Sequence, residues 1–534
     1  MKRPVDPFVL AVMSGLRKAG LLILTLLLSS CPSPMNSDSN STAPQTPNDG
    51  SLPVTLSVQS DTTNPMNLLN DSAVSSVTVT AYDKKESVAA TANLTKGGTD
   101  WNGTIEVPSA GTYTFQAAAR DPGGVLRWKG SGDQAVAGAG DSVTIRTVGQ
   151  IVSIWGGGGH SLVLKADGTV WDWGFNLYGK LGDGMSDGVS FNRDDSIASY
   201  VRTYDHLTPF QVLGPNGVGH LSSITAVVAD EYDNVALKSD GTVWAWGANW
   251  IYGNDSGEIG DDTTTDRFTP TQVSGLSDVT QLGGRGYQTL AVEGNGTVWA
   301  WGDNEYGQLG NNSLLSTLVP VQVSTISNPK MVSVGGFFCM ALLQDGTVLA
   351  WGQDDKGECG NGTYVSGNDG IRMPTEVSGL TDVVYISCGW DHAMAIKSDG
   401  TVWCWGNNSN GELGDGTSAN SAVPVQTLGL TNIVSVSGGD RHSSALDAKG
   451  NVYKWGQNGY GDLGNGTSDN GVHSSPVAVA SLSHVTLSAS RDYHNLAVEA
   501  DGSLWTLGNN AFAQCGLGST SPKLVTTPDQ VAPF

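Results

Sequence analysis

The sequence predicts an all-β protein, a seven-bladed β-propeller preceded by a small β-sandwich. Three observations carry that expectation. Glycine supplies 71 of 534 residues while charged residues make up only 15%, which is a composition of frequent turns rather than of helical bundles. Apolar residues alternate with period two, and no helical period is sustained. One unit recurs seven times, as in DGTVWCWGNNSNGELGDGT at 399–417, and a repeat of this length signals a propeller or solenoid.

The first element in chain order is a targeting segment. Arg17 and Lys18 precede an apolar run from Leu21 to Leu28, which ends in Leu28-Ser29-Ser30-Cys31. The run is too short to span a bilayer and reads as a signal h-region, with Met1 and Met13 both open as its start. Leu-Ser-Ser-Cys resembles the lipobox of bacterial lipoproteins. That resemblance implies cleavage before Cys31, lipidation of Cys31, and an exported, membrane-anchored protein of the cell envelope or surface. Residues 32–50 (PSPMNSDSNSTAPQTPNDG) contain nothing aromatic and little to bury, so they are expected to be a disordered tether.

Residues 51–147 lack the repeat. VTLSV (54–58), SVTVTAY (76–82), TIEV (104–107) and TYTFQAAA (112–119) alternate in period two between turn signals, the pattern of a β-sandwich of immunoglobulin-like type.

From 148 to 534 the repeat takes over. Its turn glycines are Gly168, Gly241, Gly296, Gly346, Gly400, Gly450 and Gly502, and the glycine of Leu-Gly follows 14 residues later in six of seven copies. A proline follows in each copy, after 10 to 27 further residues. Packed elements hold their length while exposed loops vary, so that last interval is a surface loop, longest at 184–207. Each unit reads as strand, tight turn, strand, with Trp171 and Trp173 on one strand face. These two columns hold 11 of the 16 tryptophans, with Leu349, Tyr453 and Leu507 as apolar replacements, so packing sets them. The last proline strand, Pro528-Asp529-Gln530-Val531, has no repeat after it and is expected to complete the first blade.

The motif WGxNxxGxLGxG, with GxxHxxAL before it and Pro-x-Gln-Val after it, closely resembles the regulator of chromosome condensation repeat family over about 151–534. The resemblance implies a seven-bladed propeller, and it brings guanine-nucleotide exchange on a small GTPase into view as an alternative function.

Chemistry is scarce in the sequence. Acidic residues outnumber basic ones 51 to 27, for a formal charge of −24, which disfavours nucleic acid and anionic membrane surfaces as partners. No Walker loop, dinucleotide fingerprint, Gly-x-Ser-x-Gly or His-Glu-x-x-His occurs. Cys339, Cys359, Cys388, Cys404 and Cys515 offer neither a disulfide framework nor metal spacing. His160, His392, His442 and His494 share one repeat position and read as structural. The acidic loops at 182–188 and 254–266 offer oxygen donors without EF-hand spacing, and solvated loops are the simpler reading. No cofactor, metal or catalytic residue is therefore assigned.

The informative variation lies in the two residues before the histidine position, whose fixed spacing gathers them on one face of the ring. There the sequence places Tyr232, Tyr287, Phe337, Trp390, Asp391, Arg441, Asp492 and Tyr493. Aromatic and charged side chains on a rigid scaffold are what binding hot spots use, and sealing the loops is the competing role. The function expected is that of a monomeric, non-enzymatic binding or scaffold protein for a protein or glycan. A polysaccharide-acting propeller enzyme is a further alternative.

Overall fold

The computed structural model describes residues 151–187, 189–191, 197–200, 204–249, 256–367 and 369–534, together with the backbone of seven strands between 52 and 146. The signal segment, Cys31 and the 32–50 tether lie outside the described residues.

The seven early strands are β1 (Leu52–Gln59), β2 (Ser76–Tyr82), β3 (Val88–Gly97), β4 (Asp100–Val107), β5 (Gly111–Arg120), β6 (Leu126–Val136) and β7 (Ser142–Arg146). They follow one hydrogen-bonded order, β6-β5-β2-β3-β4-β1-β7, with β1 and β7 parallel. Alternation in SVTVTAY buries Val79 and Ala81 on one face, as period two requires.

Residues 151–534 form seven four-stranded antiparallel sheets, one per repeat. Their inner strands are Ile151–Gly156, Ile224–Ala229, Val279–Arg285, Met331–Val334, Val383–Cys388, Ile433–Gly438 and Val485–Arg491, defining blades 1 to 7. The outermost strand of each blade carries the repeat proline, from His206–Gln211 in blade 1 to Leu524–Gln530 in blade 7. In all seven, that proline falls where the edge-strand register shifts. Proline lacks the N–H a ladder needs, so an edge bulge is where it fits, and it also blocks pairing with other chains.

One expectation is corrected here. The last proline strand does not cross to the first blade: Leu524–Gln530 pairs with Leu504–Asn509 of its own repeat, and blade 1 is completed by its own His206–Gln211. The ring closes through side chains instead. Val531 joins the apolar cluster that holds Ile154 and Trp173, and the Phe534 ring lies 5.2 Å from that of Trp171. The long 184–207 segment forms a strand pair of its own, Val189–Phe191 with Ile197–Tyr200, outside every blade.

The repeated motif explains itself at the blade interfaces. Trp173, Trp246, Trp301, Trp351, Trp405 and Trp455 are fully buried. Trp405 Nε1 donates to Glu358 O of the preceding blade at 2.9 Å, as Trp301 does to Glu258 O and Trp351 to Gln308 O. Trp173 makes the same bond to Gln514 O and so joins blade 1 to blade 7. The Leu-Gly glycine beneath is required twice. Gly360 has φ +62°, and a Cβ there would lie 2.7 Å from Trp405 Nε1. In six blades the motif Asn, or Asp354 in blade 4, accepts from the N–H five residues on, as Asn408 does from Leu413 N at 2.9 Å; in blade 2, with its longer loop, Asn249 accepts from Ile259 N ten residues on. One side chain thus organises a loop that would otherwise leave backbone donors unmet.

The histidines are inter-blade clips. His392 Nε2 donates to Ser443 Oγ, whose own proton goes to Glu412 O, and His494 Nε2 donates in the same way to Ser161 Oγ. His160 and His442 donate to Asn234 and Asn495 of the following blades. Burial holds all four well below the usual imidazole range, with His392 and His494 down at about 3.

A pH prediction follows for His392. Unfolded, it protonates near 6.5; folded, near 3. The unfolded chain binds the extra proton between those values, so the stability contributed is complete above 6.5 and is lost as pH falls toward 3. His392→Gln keeps a donor for Ser443 but cannot titrate. Its unfolding free energy, read from urea denaturation, is expected to fall less steeply with acidification than the wild type's, by up to ~1.4 kcal/mol per pH unit. Parallel midpoints between pH 6.5 and 4 would contradict the assignment.

Candidate functional site

The loops between inner and second strands gather at one end of the ring, as their constant spacing predicts. Four of the eight candidates form a continuous run across blades 2 to 5. Tyr232 stacks with Tyr287 at 6.4 Å between ring centroids, Tyr287 meets Phe337 at 5.5 Å, and Phe337 meets Trp390 edge-on at 5.9 Å. Tyr287 and Trp390 are also in contact, at 6.1 Å. All four rings are half-buried, so each presents part of its surface to solvent while its neighbours hold it.

The other four candidates lie apart from this run. Asp391 is engaged by Lys356, whose Nζ donates to Oδ2 at 3.1 Å. Arg441 is exposed. Tyr493 packs at a tilt against Tyr460, 4.6 Å between ring centroids, and burial first, then the nearby acids Asp440 and Asp492, push its hydroxyl pKa up. Asp492 belongs to a carboxyl group cluster near the ring axis. Burial first, then the neighbouring Glu231 and Asp440, raise its pKa well above the usual carboxylate range.

Sequence reasoning missed two sets of residues. The first is a second aromatic column, four residues before each Leu-Gly glycine, holding Tyr178, Tyr306, Tyr460 and Phe512. Tyr178 meets Tyr232 of the next blade edge-on at 5.8 Å, and Tyr306 meets Phe337 of the next blade at 5.2 Å. These rings extend the run outward. They were readable in the sequence as aromatics recurring at an unspecified position of the motif.

The second set plugs the axis. The position three before the histidine column reads Gly157, Asp230, Arg285, Gly335, Gly389, Gly439 and Arg491. Four glycines leave room that two arginines fill. From blade 7, Arg491 Nε donates to Gly156 O of blade 1 at 3.1 Å, and Nη2 to Ala229 O of blade 2 and Gly284 O of blade 3. From blade 3, Arg285 Nη1 reaches Cys388 O and Gly438 O of blades 5 and 6, and Nη2 reaches Asp440 at 3.0 Å. Burial and the neighbouring Arg285 lower Arg491 to about 9, while burial raises Asp230 to about 7 against the pull of both arginines. Arginine suits this place because its planar fork serves several carbonyls at once.

The acidic loops engage their own carboxylates. Asp261 accepts from Arg267 Nε at 2.7 Å, and Asp183 pairs with His206 at 2.9 Å. All five described cysteines are free and buried. Among the described residues, no three metal-type side chains are grouped.

The family model described as RCC1-like domain matches residues 254–534, just over half of the chain. The human E3 ubiquitin-protein ligase HERC2 is 27% identical over 266 residues, which are 49% of this chain and 4% of that protein. Protein pim1 of Schizosaccharomyces pombe is 28% identical over 274 residues, covering 50% of this chain and 39% of pim1. The chain therefore spans well under half the length of these relatives. Among solved structures, Prp20p from Saccharomyces cerevisiae superposes with a TM-score of 0.53 at 24% identity, covering 64% of this chain and 80% of that one. Human WBSCR16 gives a TM-score of 0.56 at 21% identity, covering 69% and 94%. At these identities the two structures speak for the fold alone.

Proposed function

Because this chain belongs to the RCC1-like domain family, we propose that it is a binding scaffold whose loop face holds a protein partner and which performs no reaction of its own. The observation that carries the reading is the unbroken run from Tyr232 through Tyr287 and Phe337 to Trp390. Rigid aromatics contribute large contact area at low entropic cost, and they concentrate interface energy when packed in this way. The solved relatives are described by protein partners: Prp20p with Gsp1p and histones, and yeast RCC1 (Prp20) with Kap60. With a net charge of −24, the scaffold favours a basic partner segment over an acidic one.

The rest of the reading comes from the sequence. The Leu28-Ser29-Ser30-Cys31 motif supports a lipid anchor at Cys31, and residues 32–50 serve as its tether. The proposed location is thus the outside of a bacterial membrane. Strands β1 to β7 serve as an immunoglobulin-like sandwich between tether and ring.

The test uses the full chain as bait in envelope extracts, beside a Tyr287→Ala/Trp390→Ala double variant whose folding is confirmed by circular dichroism. A partner held by the wild type and weakened at least ~100-fold by the double variant is expected for two central anchors. Equal capture by both proteins contradicts the assignment of this face.

A further inference from the structure

The channel along the ring axis is closed at one end and open at the other. At the loop end, Arg285 and Arg491 bridge it from opposite sides. At the far end, Val434 and Thr486 stand exposed to solvent. Between them lies a cavity of about 410 Å³, within the range that takes small molecules.

At the level of Trp155 its lining is divided by chemistry. The strand alternation that buries Val332, Ile386 and Val436 in the sheet cores turns Ser333, Ser387 and Ser437 to the channel. The Ser387 hydroxyl makes no hydrogen bond to protein among the described residues. Ser333 Oγ accepts from Cys388 N at 3.0 Å and keeps its proton to give. The Ser437 hydroxyl is engaged by the neighbouring blade 7, donating to Ser490 O at 3.1 Å and accepting from Ser490 N at 2.9 Å. Across the axis from Ser333 and Ser387 are the half-buried Trp155 of blade 1 and Ala489 of blade 7. Trp155 carries the Arg491 guanidinium over its ring at 5.2 Å. Arg491 lines the closed end. Its Nε and Nη2 are committed to carbonyls, and Nη1 has no protein partner among the described residues.

We infer that this half-channel is a binding site for a single acidic sugar, a pyranose ring bearing a carboxylate. A ring hydroxyl both donates and accepts, which matches serine hydroxyls that do the same. The apolar C–H face of the ring suits the Trp155 wall. The carboxylate matches an arginine nitrogen at the closed end, where a charge-assisted bond forms away from bulk water. Phosphorylated or long-chain ligands fit less well, because one free nitrogen and about 410 Å³ suit one small anion-bearing ring. The site is independent of the loop face, since the two arginines separate them.

The probes are D-glucuronate and D-glucose, titrated into the full chain by calorimetry, with ligand-observed saturation-transfer NMR as a second readout. Glucuronate is expected to bind saturably and at least ~10-fold tighter than glucose, the step one charge-assisted bond supplies. Ser387→Phe fills the cavity and is expected to abolish binding. Should that variant misfold, Ser387→Ala removes only the hydroxyl, and is expected to weaken glucuronate binding about 3- to 10-fold. The inference is overturned if folded wild type shows no saturable glucuronate binding up to about 10 mM, a weaker affinity than one small ring in a fitted site gives. It is equally overturned if glucose binds as tightly as glucuronate, or if the folded Ser387 variants bind unchanged.

Discussion

Replacing Arg491 with methionine is expected to destabilise the propeller by about 3–5 kcal/mol, the cost of breaking a buried charged pair by removing one partner. The variant leaves Gly156 O, Ala229 O and Gly284 O without the donor that ties blades 1, 2 and 3 to blade 7. It also leaves Asp230, 2% exposed, without the guanidinium 3.7 Å away. Methionine matches the arginine stem closely enough that lost packing contributes little. Arg491→Lys tests the mechanism: lysine keeps the charge but one ammonium cannot serve three carbonyls, so it should recover only part of the loss. A urea denaturation midpoint measures both variants. A change under about 1 kcal/mol in Arg491→Met, within the range of ordinary surface substitutions, would show that the axis is not braced by this residue.

The second large effect is expected at an interface between blades. Trp405→Ala should cost about 3–5 kcal/mol, as truncation of a buried large aromatic does. The ring is fully buried, packs in the cluster that holds Phe338, Leu380 and Ile386, and donates to Glu358 O. The seventh copy of this position supplies a natural control. Leu507 stands there, buried, over Gly464, whose added Cβ would still find its side chain at 3.2 Å. Trp405→Leu is therefore expected to retain roughly half of the lost stability, since it fills part of the cavity and forgoes one hydrogen bond worth about 1 kcal/mol. If alanine and leucine behave alike, the ring's volume is not what holds blades 4 and 5 together.

These positions also show what the sequence can reveal and what it cannot. The tryptophan, asparagine and Leu-Gly columns are legible because seven copies turn a local requirement into a visible column. The four aromatics of the loop face were legible for a related reason. Constant spacing to the turn fixes where a loop ends, whatever residue occupies it. Arg285 and Arg491 were illegible as a pair, because their column is mostly glycine and their partners lie on blades that meet only in the closed ring.

The closing strand was misread for a reason that tandem repeats create. Each proline strand but the last has a repeat on either side, and the 26 residues from proline to the following turn glycine in five of the six intervals suggest pairing forward. That constancy has another cause. The crossing to the next blade is buried, as Val377, Leu380 and Val383 show by sharing a core cluster with Trp405. The strand itself pairs backward, across the variable loop. Packing, rather than pairing, holds that interval fixed.

The most direct test of the central claim is a hydrogen–deuterium exchange footprint of the full chain with its captured partner. Binding at the loop face predicts slowed exchange at the loops holding Glu231-Tyr232, Gly286-Tyr287, Gly336-Phe337 and Trp390-Asp391, and no change at the turn glycines on the opposite end. Protection confined to the turn-glycine end, or to β1–β7, with those four loops exchanging as in the free protein, would contradict it.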